Sequence, residues 1–162
     1  MLQDGEELAV RSDGQVWAVS WHPPQSPPEG TPHGAAGVCL TSDGMVILIN
    51  NDGDIWDLPG GRPEAEERWE QTLRREMLEE TCSVVLNARL LGFSRGARRE
   101  GHEQGLVLVR SVWRAEVALG PWEPRFEIAH RRLVTAETLR TLEIGVPFAP
   151  LIRRALAEAG VV

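Results

Sequence analysis

Apolar residues in the first third of the chain form short runs separated by turn residues. Runs rich in β-branched and aromatic residues, such as "QVWAVSW", are typical of β-strands. The intervening "SDG" and "NDG" contain Asp-Gly pairs, which indicate tight hairpin turns when they lie between two apolar runs. The predicted strands cover residues 15–21, 35–41, 45–50 and 54–58.

Helical and strand patterns alternate in the rest of the chain. A helix is predicted over 66–81, followed by strands at 84–94 and 105–117 with a polar loop at 95–104 between them. The remaining predicted elements are a strand at 127–134, a short helix at 135–142 with Thr135 as N-cap, and a terminal helix at 147–160 that Gly160 ends. One helix between strands and others after the last strand predict an α/β fold, with a mixed sheet and helices on both faces.

A proline-rich segment, residues 22–34, interrupts the strands near the start of the chain. Proline neither continues a helix nor donates to a sheet ladder, so a surface loop is predicted here. The piece before this loop is too small to fold alone. Residues 1–162 are therefore predicted to form a single domain, with the N-terminal strand and loop in 1–34 and the core in 35–162.

Composition narrows the classes of partner. The formal net charge is -7, which argues against stable binding to nucleic acid or to an anionic membrane surface. No apolar run is long enough for a membrane span, and the acidic first residues do not resemble a signal peptide. Two cysteines, Cys39 and Cys82, form neither a metal spacing nor a disulfide framework. These features predict a cytoplasmic protein.

The predicted helix at 66–81 carries acids where a helix disfavours them. Glu79 and Glu80 fall in its last turn, where each misplaced carboxylate costs roughly 0.3–1 kcal/mol. Glu76, Glu79 and Glu80 also share one arc of the helix with the apolar Leu73 and Met77, so they point toward the protein body. Clustered carboxylates repel unless a positive group lies among them. A hard divalent cation with oxygen ligands is the inferred partner, and Mg²⁺ commonly shares such ligands with substrate phosphates.

The same residues resemble the signature of the Nudix hydrolases, G-x5-E-x7-R-E-U-x-E-E-x-G-U. The charged and glycine positions of that signature are met by Gly61, Glu67, Arg75, Glu76, Glu79 and Glu80, and Met77 serves as the apolar residue U. Cys82 stands in place of the signature's second glycine and Ser83 in place of its last apolar residue. The resemblance extends from residue 35 to the end of the chain and implies a Nudix-type α/β/α sandwich.

The resemblance implies hydrolysis of a nucleoside diphosphate linked to another group X, with water attacking phosphorus. It implies Mg²⁺ or Mn²⁺ as cofactor, held by Glu76, Glu79, Glu80 and the backbone carbonyl of Gly61. Arg75 would hold Glu67 in place by a charge-assisted pair. The implied partner is a small-molecule nucleotide, and a homodimer stays open.

Weaker candidates lie outside the signature. Glu127, just before "IAHRRLV", is a candidate for the catalytic base or for recognition of the nucleobase, with even weight given to a solvated acid at a strand end. Glu100 and Glu103 in the loop 95–104 are rival bases.

Three arginines of the same loop, Arg95, Arg98 and Arg99, are candidate phosphate ligands, although loop arginines are more often simply solvated. Trp17 and Trp21 fall on a predicted strand, where core packing is favoured over stacking on a nucleobase.

Two alternatives to a hydrolase are carried forward. One is a catalytically weak, ligand-binding regulator on the same fold, for which Cys82 and Ser83 leave an opening. The other is an isomerase of prenyl diphosphates, which the family builds with additional Cys and His residues that are not evident in this sequence.

Overall fold

The computed structural model of the protein describes residues 1–50, 55–100, 105–123 and 130–162. Its strands are β1 (Leu8–Ser12), β2 (Gln15–His22), β3 (Thr31–Leu40), β4 (Val46–Asn50), β5 (Gly60–Gly61), β6 (Ser83–Glu100), β7 (Val107–Leu119) and β8 (His130–Val134). Its helices are α1 (Trp69–Thr81), α2 (Ala136–Thr141) and α3 (Ala149–Glu158).

The strands form a mixed sheet in the order β1-β2-β6-β7-β3-β4-β8, with β5 paired to β3 beside this path. β3 runs parallel to β7, whereas the other pairs among the described residues are antiparallel. β6 and β7 make a long hairpin at the centre of the sheet.

Alternation along β3 and β4 divides the core into two faces. Cys39 and Ile47 join a cluster with Leu73 and Met77 of α1. Val38 and Leu48 point the other way and join a second cluster with α2 and α3. Successive side chains of a strand point to opposite faces, so the sheet is covered by α1 on one face and by α2 and α3 on the other. The predicted α/β fold with helices on both faces is confirmed.

An N-terminal strand that the sequence reading missed precedes β2. β1 and β2 form an antiparallel hairpin whose turn residues, Asp13 and Gly14, both have left-handed φ angles of 50° and 74°. This turn type is the one that Asp-Gly pairs favour. The "DG" at 13–14 between two apolar runs was therefore a usable signal for β1.

The predicted loop at 22–34 is wrong at its end, because β3 already begins at Thr31 and includes Pro32. Among the described residues, Thr31 and Pro32 pair with β7 alone, since β5 meets β3 at Ala35 and Ala36. The pairing with β7 also shifts register just after Pro32. An open side and an irregular register are the conditions under which a strand tolerates proline.

Two further boundaries differ from prediction. Residues 55–58 of the predicted strand 54–58 contribute isolated bridges, Asp57 to Ile49 and Trp56 to Ile144, and residue 54 lies outside the described part. The polar segment after residue 94 is also not a loop at its start, because β6 continues through Glu100. Its cross-strand partners on β2 and β7 supply the ladder that polarity alone does not reveal.

Candidate active site

The carboxylate of Glu76 lies directly against the backbone of Gly61. A β-carbon at Gly61 would meet the carboxyl group of Glu76, so any larger residue here would displace that carboxylate. Gly61 belongs to β5, and its carbonyl oxygen in turn lies against Gly34 of β3, where a β-carbon would also collide. Burial raises the pKa of Glu76, and the ion pair with Arg75 opposes that rise.

Glu80, one turn further along α1, reaches the same short strand. Its Oε1 accepts a hydrogen bond from the Gly60 amide at 2.7 Å. Burial raises the pKa of Glu80 to about 7, the Gly60 hydrogen bond opposes the rise, and the negative charge of Glu76 adds to it. The glycine pair therefore brings two carboxylates of α1 to one place beside β5.

Arg75 is the hub of the charged cluster. Its Nε and Nη2 donate to the two carboxylate oxygens of Glu67 at 2.8 and 3.0 Å. Its Nη1 donates to Glu76 Oε1 at 2.8 Å and to Glu79 Oε2 at 3.1 Å, and Nη2 also donates to the Arg62 carbonyl at 2.8 Å. Three carboxylates thus accept hydrogen bonds from one guanidinium, and Glu64 forms a further ion pair with its Nε at 3.5 Å, so the cluster keeps an excess of negative charge.

Glu67 lies outside the helix, contrary to the prediction that Glu66 and Glu67 occupy its first turn. α1 begins at Trp69, and Gln71 Oε1 accepts the Arg68 amide at 2.7 Å at the helix start. Glu67 instead accepts the Glu64 amide at 2.7 Å and pairs with Arg75. Arg75 holds the pKa of the Glu67 carboxyl down at about 2. The acid that precedes the helix therefore fixes a turn and orients Arg75.

The two departures from the family signature are accommodated locally. Cys82 takes the left-handed conformation, with φ 54° and ψ 40°, that glycine usually provides at a helix end. Ser83 is buried, and its hydroxyl hydrogen-bonds that of Thr81 at 2.5 Å. Thr81 in turn donates to the Met77 carbonyl. A satisfied hydroxyl pair thus replaces the apolar residue.

The other predicted residues are not drawn into this cluster. Arg95, Arg98 and Arg99 lie on β6, where Arg95 donates to the Glu29 carbonyl, Arg98 stacks over Trp17 at 4.5 Å, and Arg99 pairs with Glu7 at 3.1 Å.

Of the candidate bases, Glu100 lies in the described part of the chain. It ends β6 and pairs with Val16 of β2. Glu103 and Glu127 fall outside the described residues.

A cavity of about 310 Å³ opens on the opposite face of the sheet, beneath α3. Its walls are mostly apolar, and Trp17, Trp21 and Phe148 contribute aromatic surface. Trp21 is almost fully buried, as expected of a core residue, whereas Trp17 is partly exposed. The volume lies at the small end of the range of about 300–1,000 Å³ that is typical of ligand sites.

Three polar residues of this cavity, Asp57, His33 and Arg110, escaped the sequence reading. Arg110 interacts electrostatically with Asp57, Glu80 and Glu76, and so links the cavity to the carboxylates of α1. One signal for Arg110 was present, because it interrupts the apolar run "GLVLVRSVW", and charged residues within buried strands are rare. Asp57 and His33 gave no comparable signal.

The chemistry of the donor set fits a hard divalent cation. Glu76, Glu79, Glu80 and the Gly61 carbonyl offer oxygen atoms only, which are the ligands that Mg²⁺ prefers. Within the described ranges, however, no three His, Cys, Asp or Glu side chains converge as a ready cage. The hydrogen bonds explain this, since Arg75 engages Glu76 and Glu79 while the Gly60 amide engages Glu80. A cation that takes the bonded oxygens displaces these partners, whereas the second oxygen of each carboxylate accepts none of these hydrogen bonds.

The fold and this carboxylate cluster define a Nudix-type architecture, and comparison with known proteins assigns the family. The sequence profile of the NUDIX domain matches residues 31–156. The match covers well over half of the chain, and the chain therefore belongs to the Nudix family.

Individual relatives are more distant. A Bacillus subtilis (strain 168) protein that carries the name of an 8-oxo-dGTP diphosphatase is 37% identical over 59 residues, which span 35% of this chain and 40% of that protein. The chain thus aligns with less than half of this relative's length.

Among solved structures, the Bacillus subtilis pyrophosphohydrolase BsRppH superimposes with a TM-score of 0.70 at 20% identity, over 96% of this chain and 98% of that one. The NUDIX domain of Shewanella oneidensis NrtR, solved with ADP ribose, gives 0.61 at 19% identity, over 83% and 91%. Identities this low show the shared fold alone. No helix among the described residues is long and apolar enough to span a membrane.

Proposed function

We propose that the protein hydrolyses the phosphoanhydride bond of a nucleoside diphosphate linked to another group X, by attack of water on phosphorus. The observation that supports this most strongly is the carboxylate cluster of α1, which faces the Gly60–Gly61 strand and holds more negative than positive charge. An anionic substrate cannot approach such a site without a cation to compensate.

Glu76, Glu79, Glu80 and the Gly61 carbonyl would hold Mg²⁺ or Mn²⁺ in this proposal. Once bound, such a cation offsets the charge of the diphosphate and lowers the pKa of a water molecule. Gly61 has no side chain, and the Glu76 carboxylate lies against its backbone.

Arg75 and Glu67 would act as positioning residues. The guanidinium fixes the carboxylates of Glu76 and Glu79 from one side, and the two hydrogen bonds from Arg75 to Glu67 fix the guanidinium itself. Bidentate pairing of this kind restricts orientation as well as supplying energy. Before a cation binds, these carboxylates are thereby held close together against their mutual repulsion.

Glu127 is the proposed base that accepts a proton from the attacking water, or alternatively a residue that recognises the nucleobase. Glu103 and Glu100 are the rival bases. Arg95, Arg98 and Arg99 are proposed as ligands of outer phosphates. Arg95 also lines the cavity, which favours it among the three.

A catalytically weak, ligand-binding regulator is the second candidate function. The contact of Arg75 with both Glu76 and Glu79 favours it, because a guanidinium in that place competes with a divalent cation. The NUDIX domain of Shewanella oneidensis NrtR, which shares this fold, was solved in complex with ADP ribose.

A nucleotide panel with product analysis separates the two functions. The panel contains ADP-ribose, dinucleoside polyphosphates, nucleotide sugars and oxidised nucleoside triphosphates, each assayed with Mg²⁺ or Mn²⁺. Wild type should cleave at least one substrate, and Glu79→Gln and Glu80→Gln should reduce the rate at least about 100-fold. Glu70→Gln, an exposed acid of the same helix, is the matched control. Equal inertness of wild type and both variants would support the regulator.

A further inference from the structure

The cavity beneath α3 is built from small residues on the floor and one helical face on the roof. On the floor, Trp21 pairs with Ser94, and Ser94 pairs with Arg110, so these three side chains share the face of the sheet that α3 covers. Ser94 and its neighbour Gly96 leave space that larger residues would fill.

Phe148, Leu151, Ile152 and Ala155 of the α3 segment form the roof. Their spacing of three and four residues places them on one side of the helix. The cavity is thus a feature of regular elements on both sides and does not depend on a surface loop.

Arg110 presents a charged group to this apolar space. It is partly buried, and no hydrogen bond joins its guanidinium to another described residue. Burial lowers the pKa of Arg110, and the negative charges of Asp57 and Glu80 oppose the decrease. A guanidinium without hydrogen-bond acceptors retains its donors for a planar anionic group, to which arginine binds in bidentate fashion.

The residues around Arg110 favour an anion-binding site between the cavity and α1. His33 lines the same cavity, and burial together with the charges of Arg110 and Arg62 lowers its pKa to about 4. A neutral His33 does not compete with Arg110 for an anion near pH 7. Glu80, one of the carboxylates of the α1 cluster, interacts electrostatically with Arg110 and is not among the residues that line the cavity.

We propose that the nucleoside half of the substrate, rather than the group X, enters this cavity, and that Arg110 binds the phosphate attached to that nucleoside. The proposal rests on the proposed function, in that it assigns the two ends of its substrate. A planar ring suits the aromatic and aliphatic walls, the small volume holds one nucleoside, and the diphosphate then runs from Arg110 toward Glu76, Glu79 and Glu80. Arg110 is accordingly a positioning residue for the reaction.

Metal-free calorimetry tests the assignment without any catalytic step. Each nucleoside monophosphate (AMP, GMP, CMP, UMP) is titrated in EDTA beside its own nucleoside, into wild type and into Arg110→Gln. For the base that binds most tightly, wild type should prefer the monophosphate by at least about tenfold, since a hydrogen bond to a charged group is worth that much. Arg110→Gln should lose this preference while its affinity for the nucleoside stays unchanged.

Two further variants keep the test decisive. Arg110→Lys retains the charge and should recover part of the preference, which a merely structural role would not produce. Arg89→Gln, an exposed arginine of β6, should match wild type. An equal preference in wild type and Arg110→Gln, or no binding of any nucleoside or monophosphate to wild type, would overturn the proposal.

Failure here is distinguishable from failure of the proposed function. If the protein hydrolyses a substrate of the panel with metal, but Arg110→Gln keeps the preference for the monophosphate, the role of Arg110 is refuted and the proposed hydrolase activity stands. If Arg110→Gln loses the preference for the monophosphate but no substrate is hydrolysed, the phosphate site at Arg110 stands and the proposed hydrolase activity is refuted.

Discussion

The two faces of the sheet carry the two halves of the proposed site, and these halves are built in different ways. On the α1 face, the charged residues lie in one stretch of chain from Gly60 to Glu80, and hydrogen bonds of 2.7–3.1 Å connect them. On the α3 face, the cavity is assembled from β2, β3, β6, β7 and α3, which are far apart in sequence. The first half can be read from local spacing, whereas the second exists only once the sheet has formed.

Removal of Arg75 should have the largest effect on stability, because it breaks the α1 half at its hub. Arg75→Leu leaves Glu67, Glu76 and Glu79 without their shared cation, and Arg75 is only 19% exposed. We expect a loss of about 2–3 kcal/mol in the free energy of unfolding in EDTA. Urea denaturation measures this loss. Arg89→Leu, at an exposed arginine of β6, should cost about 0.5 kcal/mol or less. A similar cost for both variants would contradict the role of Arg75 as a hub.

Filling the cavity should damage substrate binding and spare the α1 half. Ser94→Leu places a large side chain on the cavity floor, so KM should rise about tenfold or more while kcat and metal dependence are retained. Steady-state kinetics on the best substrate of the panel supplies the measurement. Ser12→Leu at the end of β1 is the control. An unchanged KM in Ser94→Leu would show that the cavity is not used.

Lowering the pH should reduce the stability of the folded protein, because His33 on the α3 face is kept neutral in the folded state. The pKa of His33 is lowered to about 4 from an ordinary value of 6.5, by burial and by Arg110 and Arg62. Between these two values the unfolded chain binds the proton more tightly, so stability is complete above about pH 6.5 and falls as pH decreases toward 4. Wild type should lose about 1 kcal/mol more than His33→Asn between pH 7 and 4.5, after allowance for solvent screening. Thermal unfolding at both pH values measures the difference. Equal losses would refute it, and His130→Asn at the exposed start of β8 is the control.

The smallest predicted effect lies at the end of α1. Cys82→Gly should raise the free energy of unfolding by about 0.5–1 kcal/mol, because Cys82 holds φ at 54° and glycine takes left-handed φ without steric cost. Cys82→Ala retains the strained conformation and removes the thiol, so it should not stabilise the protein. Stabilisation by alanine as well would assign the effect to the thiol.

The difference between the faces also explains what the sequence could reveal. The acids of α1 were predictable because helical periodicity and signature spacing both act within a few turns of chain. The pairing of Arg75 with Glu76 and Glu79, in addition to Glu67, was not, since spacing does not determine which side-chain oxygens a guanidinium selects. Clustered carboxylates were taken to require a metal ion, yet the chain itself supplies a cation to two of them.

Strands and helices were predicted correctly where apolar runs and turn or cap residues coincide. They were missed where pairing with neighbouring strands determines the structure. β2, β4 and α2 with its Thr135 cap agree closely with prediction. β6 beyond Ser94 is polar and becomes a strand because β2 and β7 flank it. Arg110 and Ser94 meet only through that pairing, so no periodicity in either segment could have placed them in one cavity.

The central claim is that the α1 carboxylates bind a divalent cation, and a crystal structure with bound Mn²⁺ tests it most directly. Anomalous scattering should place Mn²⁺ among Glu76, Glu79, Glu80 and the Gly61 carbonyl, at oxygen distances near 2.2 Å, with the Arg75 guanidinium withdrawn from Glu76 or Glu79. Mn²⁺ absent from this cluster at saturating concentration, with Arg75 still bonded to both carboxylates, would contradict the account.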